Sequence, residues 1–241
     1  MRLYGHRGAR GERAENTVAG FAHALAAGVA GIETDIAMTA DFVPVLHHDP
    51  QLADGRLIRD LMLAELSGIP TLGEALRAVP DMDWLLEVKT FPPSPEKSHP
   101  PAAVVEKVLA VIAAANIPES RLRILAFDWA VLREVKARSR IMRRVCLTEP
   151  ETEAARGLWW GAGFAGATTA QAVAAVGADA WSAFHETLTE EKIAEARALG
   201  LNVFCWTVNR PKDFARLAPL VDGIITDFPG RFIPGGAGFG S

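Results

Sequence analysis

Gly31-Ile32-Glu33-Thr34-Asp35-Ile36 is a short run of small and apolar residues broken by two carboxylates two positions apart. It reads as a buried strand. Side chains alternate faces along a strand, so Glu33 and Asp35 point the same way. If that way is inward, two like charges share a low-dielectric space, at a cost of several kcal/mol per ion unless something positive lies between them. A divalent cation is the simplest remedy, because hard cations such as Mg²⁺ and Ca²⁺ take carboxylate oxygens. Pattern alone leaves the other arrangement equally open: an edge strand with both carboxylates in solvent.

The surrounding chain alternates β-like and helical runs. Leu3 to His6 reads as a strand and Val18 to Ala27 as an alanine-rich helix capped by Asn16 or Thr17. After the strand Gly31 to Ala37, further strands are predicted at Val43 to His47, Trp84 to Val88, Leu122 to Phe127 and Met142 to Leu147. Three more follow at Ala178 to Phe184, Asn202 to Val208 and Gly223 to Thr226. Helices are predicted at Leu72 to Val79, Ala102 to Ala115, Trp129 to Ala137, Glu190 to Leu199 and Lys212 to Leu217. Repeated β-then-α order means a parallel sheet with helices outside. About eight such units in 241 residues point to a (β/α)₈ TIM barrel rather than an open doubly wound sheet. No break in composition marks a boundary, so residues 1–241 read as one domain.

Apolar residues make up 49% of the chain, ample for a sizeable core. The 25 basic and 29 acidic residues leave a net charge of −4, and no basic block exceeds Arg143-Arg144, which argues against nucleic acid or a polybasic membrane surface. No apolar run approaches the ~20 residues that span a bilayer, so no stable membrane insertion is expected. Arg2-Leu3-Tyr4-Gly5-His6 enters a strand without a charged-then-apolar leader, and a cytoplasmic location is expected. Cys146 and Cys205 lack CxxC spacing and read as two buried free thiols.

Two stretches are irregular. Phe91 to Pro101 holds five prolines and is expected to be extended, over the carboxyl-terminal face of a barrel, as a lid, a subunit contact or a passive loop. Gly157 to Gly177 contains Gly161-Ala162-Gly163-Phe164-Ala165-Gly166, a match to GxGxxG. No strand precedes it and Asp179 comes too early for a ribose ligand, so a nucleotide site is rejected and a flexible loop over Trp159 and Trp160 is expected.

In a parallel barrel, reactive groups collect at the carboxyl-terminal ends of strands. His6-Arg7-Gly8 ends the first predicted strand, Glu33 and Asp35 lie on the second, and His47-His48-Asp49 ends the third. Glu87 and Lys89 repeat the two-residue spacing on another. Two histidine clusters, three strand carboxylates, an arginine and a lysine on one rim suit phosphodiester cleavage. A metal on Glu33, Asp35 and Glu87 would neutralise the phosphate, Arg7 and Lys89 would add positive charge, and two histidines could divide the proton work. There is no GxSxG, HExxH or CxxC.

At these residues the sequence resembles the glycerophosphodiester phosphodiesterases. The family's ordered motifs match His6-Arg7-Gly8, Glu15-Asn16-Thr17, Glu33-Thr34-Asp35, His48-Asp49, Glu87-Val88-Lys89, Trp206-Thr207-Val208-Asn209 and Thr226-Asp227-Phe228-Pro229. The resemblance implies a TIM barrel that hydrolyses glycerophosphodiesters to sn-glycerol 3-phosphate and an alcohol. It implies one divalent cation, Mg²⁺ first with Ca²⁺ or Mn²⁺ as alternatives, on Glu33, Asp35 and Glu87. His6 and His48 would be the acid/base pair, Arg7 and Lys89 the phosphate contacts, and Trp206 an aromatic beside the substrate. His47 would be a neighbour, and Asp49 would fix the local turn.

The sequence also departs from the family pattern. Ala14 replaces a proline, Ala126-Phe127 stands where Ser-Phe is common, and the segment between Asp49 and Ile69-Pro70-Thr71-Leu72 is short. That short insertion after the third strand implies a more open leaving-group side, or one completed by a second copy in a homo-oligomer. Two other readings compete: a barrel phosphodiesterase for lysophospholipid or sphingolipid, with Trp159, Trp160 and Phe164 as an apolar collar, and a catalytically silent phosphate-binding barrel.

Overall fold

A computed structural model of the chain describes residues 1–233; the one-domain reading of 1–241 thus runs past the described residues. The first half of the chain contributes β1 (Arg2–Gly5), α1 (Val18–Ala27), β2 (Gly31–Met38), β3 (Pro44–Leu46), α2 (Leu72–Ala78), β4 (Asp83–Val88) and α3 (Pro101–Ala115). It continues through β5 (Leu122–Ala126), α4 (Trp129–Arg138), β6 (Arg143–Thr148), α5 (Pro150–Ala154), α6 (Arg156–Trp159) and α7 (Thr169–Val176). It closes with β7 (Ala180–Phe184), α8 (Glu190–Ala198), β8 (Asn202–Trp206), α9 (Pro211–Leu217), β9 (Gly223–Thr226) and α10 (Pro229–Phe232).

Eight strands are parallel, in the order β1-β9-β8-β7-β6-β5-β4-β2, and β2 pairs with β1 to close the barrel. Alternation along the strands divides the core in two. Tyr4, Leu85, Leu125, Val145, Leu147, Phe204 and Ile225 pack together inside the barrel. Their strand neighbours Leu3, Trp84, Leu86, Ile124, Cys146 and Ile224 belong to the larger core shared with the helices. On β2 the apolar Ile32 and Ile36 belong to that outer core, so Glu33 and Asp35 face inward. The edge-strand alternative does not hold.

Local chemistry sets the helix ends. Thr17, not Asn16, caps α1: its hydroxyl accepts from the Gly20 N–H at 3.0 Å. Thr71 and Glu74 form a capping box at α2. Both cysteines are buried and free. Among the described residues no helix is long and apolar enough to cross a membrane.

The structure corrects three expectations. The predicted third strand is not a barrel strand: β3 pairs antiparallel with β2, Ile36 opposite Leu46, as a hairpin on the rim. His47-His48-Asp49 therefore follows a hairpin and reaches the mouth from the side. Second, Gly157 to Gly177 is not one loop but contains α6 from Arg156 and α7. The Thr168 hydroxyl accepts from the Gln171 N–H at 3.2 Å and left-handed Gly177 ends α7, a local signature legible in the sequence. Trp160 is fully buried, stacked on Trp129 at 4.4 Å, and Phe164 packs edge-on against the same ring, which leaves Trp159 alone at the mouth. Third, the proline-rich stretch makes a short 3₁₀ turn at Pro95–Lys97. Arg59 Nη1 donates to the Ser98 carbonyl at 2.6 Å and His99 Nε2 lies 3.0 Å from the Thr39 carbonyl, which pins the stretch to the hairpin turn and to the segment after the hairpin.

Candidate active site

The inward positions turn polar at the carboxyl-terminal end of the barrel. On β2 and β4 the register sets Asp35 beside Glu87, with Glu33 one inward step below Asp35. Oxygens of Glu33, Asp35 and Glu87 come within 4.8 Å of one another, and the three residues are only 3%, 1% and 8% exposed.

Two bases grip this triad. Lys89 Nζ lies 3.0 Å from Asp35 Oδ1 and also pairs with Glu87. Arg7 Nε lies 3.1 Å from Asp35 Oδ2, while Arg7 Nη1 donates to both Glu15 oxygens at 3.1 Å. Arg7 adopts a left-handed backbone (φ 49°) that aims its own N–H at Glu33 Oε2, 3.0 Å away. The turn is tight: a Cβ on Gly5 would meet the Gly8 carbonyl oxygen at 1.8 Å. Asn16 fixes Asp35 from outside, donating to Oδ2 at 3.0 Å and accepting from the Thr34 hydroxyl at 2.8 Å.

The two histidines enter from different elements, each with a carboxylate behind it. His6 Nδ1 lies 2.5 Å from Asp227 Oδ1, and its Nε2 lies 3.8 Å from Glu33. Asn209 donates to Asp227 Oδ2 at 2.7 Å and accepts from the Asp227 N–H at 3.0 Å. His48 Nδ1 lies 2.7 Å from Asp49 Oδ1, and His47 Nδ1 lies 2.9 Å from the Asp49 carbonyl. Asp49 thus supports a histidine rather than only a turn. His6, Arg7, Glu33, His48, Glu87, Lys89 and Trp206 all line one cavity of about 390 Å³, with Asp35 beneath Arg7 and Lys89.

The glycerophosphoryl diester phosphodiesterase family model matches residues 6–231. The chain belongs to that family. A glycerophosphodiester phosphodiesterase from Caldanaerobacter subterraneus subsp. tengcongensis is 28% identical over 253 residues, covering 95% of this chain and 94% of the relative. A provisionally named glycerophosphoryl diester phosphodiesterase from Silicibacter pomeroyi DSS-3 superposes with a TM-score of 0.84 at 35% identity, over 96% of this chain and 91% of that one. An Oleispira antarctica phosphodiesterase, solved in complex with the product sn-glycerol-3-phosphate, has the same fold (TM-score 0.77, 21% identity, 95% and 94% covered). As a family member the chain is a phosphodiester hydrolase that acts on glycerophosphodiesters.

The charges of this phosphodiesterase fit a bound cation. Three buried carboxylates face two bases, and among the described residues Glu33 Oε1 is buried with neither a hydrogen-bond nor an ion-pair partner. Burial, then the nearby Asp35 and Glu87, push the Glu33 carboxyl well above the usual carboxylate range. Burial also pushes Glu87 up, whereas for Asp35 the charges of Lys89 and Arg7 outweigh burial and hold it down. An all-oxygen donor set with an unpaired buried oxygen suits a hard divalent cation.

Ligation needs the ionised carboxylates, so cation binding is expected to release protons and to tighten as pH rises through the raised Glu33 and Glu87 titrations. Titration calorimetry in two buffers of unlike ionisation enthalpy checks this. Identical apparent heats would mean no proton is displaced.

Sequence reasoning left Asp227 and Asn209 without a role, although both lie in quoted motifs. Their signal is the pairing of β1 with β9, which no local pattern carries. It gives no role to Glu149, and to Phe127 only a place at a strand end beside Ala126; both line the cavity.

Proposed function

We propose that this cavity hydrolyses glycerophosphodiesters to sn-glycerol 3-phosphate and an alcohol, using one divalent cation, Mg²⁺ first, and the His6/His48 pair. What carries the reading is the meeting, around one cavity, of the cation-deficient triad and two carboxylate-backed histidines. Glu33, Asp35 and Glu87 would hold the cation. When bound, it supplies Lewis-acid polarisation of the phosphoryl oxygens.

The chain's own groups do the rest. Arg7, braced by Glu15 and Asp35, and Lys89 add positive charge where the phosphate must lie. The Asp227 contact keeps a proton on His6 Nδ1 and leaves Nε2 as its working nitrogen; Asp49 does the same for His48. One ring takes the proton of the attacking hydroxyl and the other returns a proton to the departing alkoxide. Burial and the neighbouring Lys89 push His48 down, which favours its neutral form. Trp206, half-buried at the end of β8, would pack against the substrate. The product held by the Oleispira protein supports the same product here. The reading includes a small-molecule substrate, no nucleic-acid partner and a cytoplasmic location.

Metal-stripped protein is incubated with glycerophosphocholine, with and without Mg²⁺, Mn²⁺ or Ca²⁺, and glycerol 3-phosphate is measured. Release only with a cation is expected. Equal release without one, or none with all three, would defeat the reading. The lipid alternative loses two of its three collar residues, because Trp160 and Phe164 are spent on Trp129.

A further inference from the structure

The cavity has two unlike walls. Strands β1, β2 and β4 and the segment after β3 supply the charged groups described above. Leu125 and Phe127 from β5, Leu147 and Glu149 from β6, Trp206 from β8 and Trp159 from α6 supply the other. Phe127 joins the rings, meeting Trp159 edge-on at 6.4 Å and Trp206 edge-on at 5.5 Å. Among these aromatic and aliphatic groups Glu149 is the one charge. It follows β6 directly and is half-buried.

Among the described residues no basic side chain forms an ion pair with Glu149, whereas Asp49, another carboxylate at this mouth, is engaged by His48 at 2.7 Å. A carboxylate left facing the cavity repels a phosphodiester anion. That repulsion becomes attraction only if the substrate carries a positive charge away from its phosphate. Aromatic faces beside a carboxylate are the environment that alkylammonium groups favour.

We propose that this wall is a receptor for a cationic alcohol, with Glu149 as counter-charge and Phe127, Trp159 and Trp206 as aromatic faces. The phosphodiesterase thereby prefers zwitterionic glycerophosphodiesters whose leaving group is of the choline or ethanolamine type. This rests on the function proposed above, which assigns the phosphate to the other wall. Burial and the adjacent Glu151 push the Glu149 carboxyl up by more than the charge of Lys89 pulls it down, so a bound ammonium also relieves an electrostatic cost that a neutral alcohol leaves in place.

The test compares kcat/KM for glycerophosphocholine and glycerophosphoinositol in wild type, Glu149→Gln and Trp159→Leu, each checked for an unchanged thermal transition. The choline-to-inositol ratio is expected to fall about tenfold in Glu149→Gln and to fall also in Trp159→Leu. A constant ratio in Glu149→Gln overturns the proposal, whether both substrates slow together or neither does. Choline is also titrated into wild type and Glu149→Gln with tryptophan fluorescence as readout, which needs no turnover. If neither ester releases glycerol 3-phosphate, the reaction assigned above fails and the titration decides alone. Saturation that depends on Glu149 supports the receptor, and saturation indifferent to it, or none, overturns it.

Discussion

Replacing His6 or His48 with alanine is expected to cut glycerol 3-phosphate release by roughly two to four orders of magnitude, with the fold and cation affinity retained. Both rings reach the cavity, and each has a carboxylate on Nδ1. Removing either ring takes away one proton transfer and leaves the triad intact. The supports separate the two roles: Asp227→Asn should slow turnover less than His6→Ala, because it misorients the ring without deleting it. The checks are kcat at saturating substrate, circular dichroism, and the cation titration repeated on each variant. Near-normal kcat in His6→Ala or His48→Ala would remove that residue from the acid/base pair.

Glu33→Ala is expected to abolish saturable cation binding and to bring turnover to background. Among the described residues Glu33 Oε1 is the buried triad oxygen with neither a hydrogen bond nor an ion pair, and its loss leaves Asp35 and Glu87 matched by Lys89 and Arg7, with no charge deficit for a cation to fill.

Stability gives a second readout. A folded-state pKa raised above the unfolded one contributes stability that is complete below the unfolded value and is lost as pH rises through the folded value. Metal-free wild type should therefore lose stability as pH climbs from the ordinary glutamate range through the raised Glu33 titration, and added cation should restore it. Glu33→Gln, which keeps the size, should flatten that loss and abolish the cation-induced rise in Tm. A Tm rise that survives in Glu33→Gln would mean the cation binds elsewhere.

Much of this site is legible without coordinates, for a local reason. Period-two spacing puts Glu33 with Asp35, and Glu87 with Lys89, on one face of a strand, and flanking Ile32, Ile36, Leu86 and Val88 mark the opposite face as packed. What the pattern misjudged were elements whose identity depends on their neighbours. Pro44 to Leu46 has the composition of a barrel strand but pairs antiparallel, because it is reached by a turn too short for a crossover. Thr169 to Val176 is helical: its Thr168–Gln171 capping box prevails over a glycine-rich approach that by itself signals a loop. Glu149 gave no sign at all: in Thr148-Glu149-Pro150-Glu151 it resembles any acidic helix start, and only the inward register of β6 turns it to the cavity.

The sequence by itself determined which side chains share a face, the order of β and α units, and an excess of carboxylates where strands end. Those are properties of residues a few positions apart, set by backbone geometry and solvation. Tertiary structure decided what lies across the mouth. His6 and Asp227 stand 221 positions apart and meet because β1 pairs with β9. The orphaning of Glu33 Oε1 and the wall of Phe127, Trp159 and Trp206 around Glu149 likewise exist only once the ring of strands is closed. Ring closure brings together inward side chains from strands far apart in the chain, and no local periodicity encodes which of them will meet.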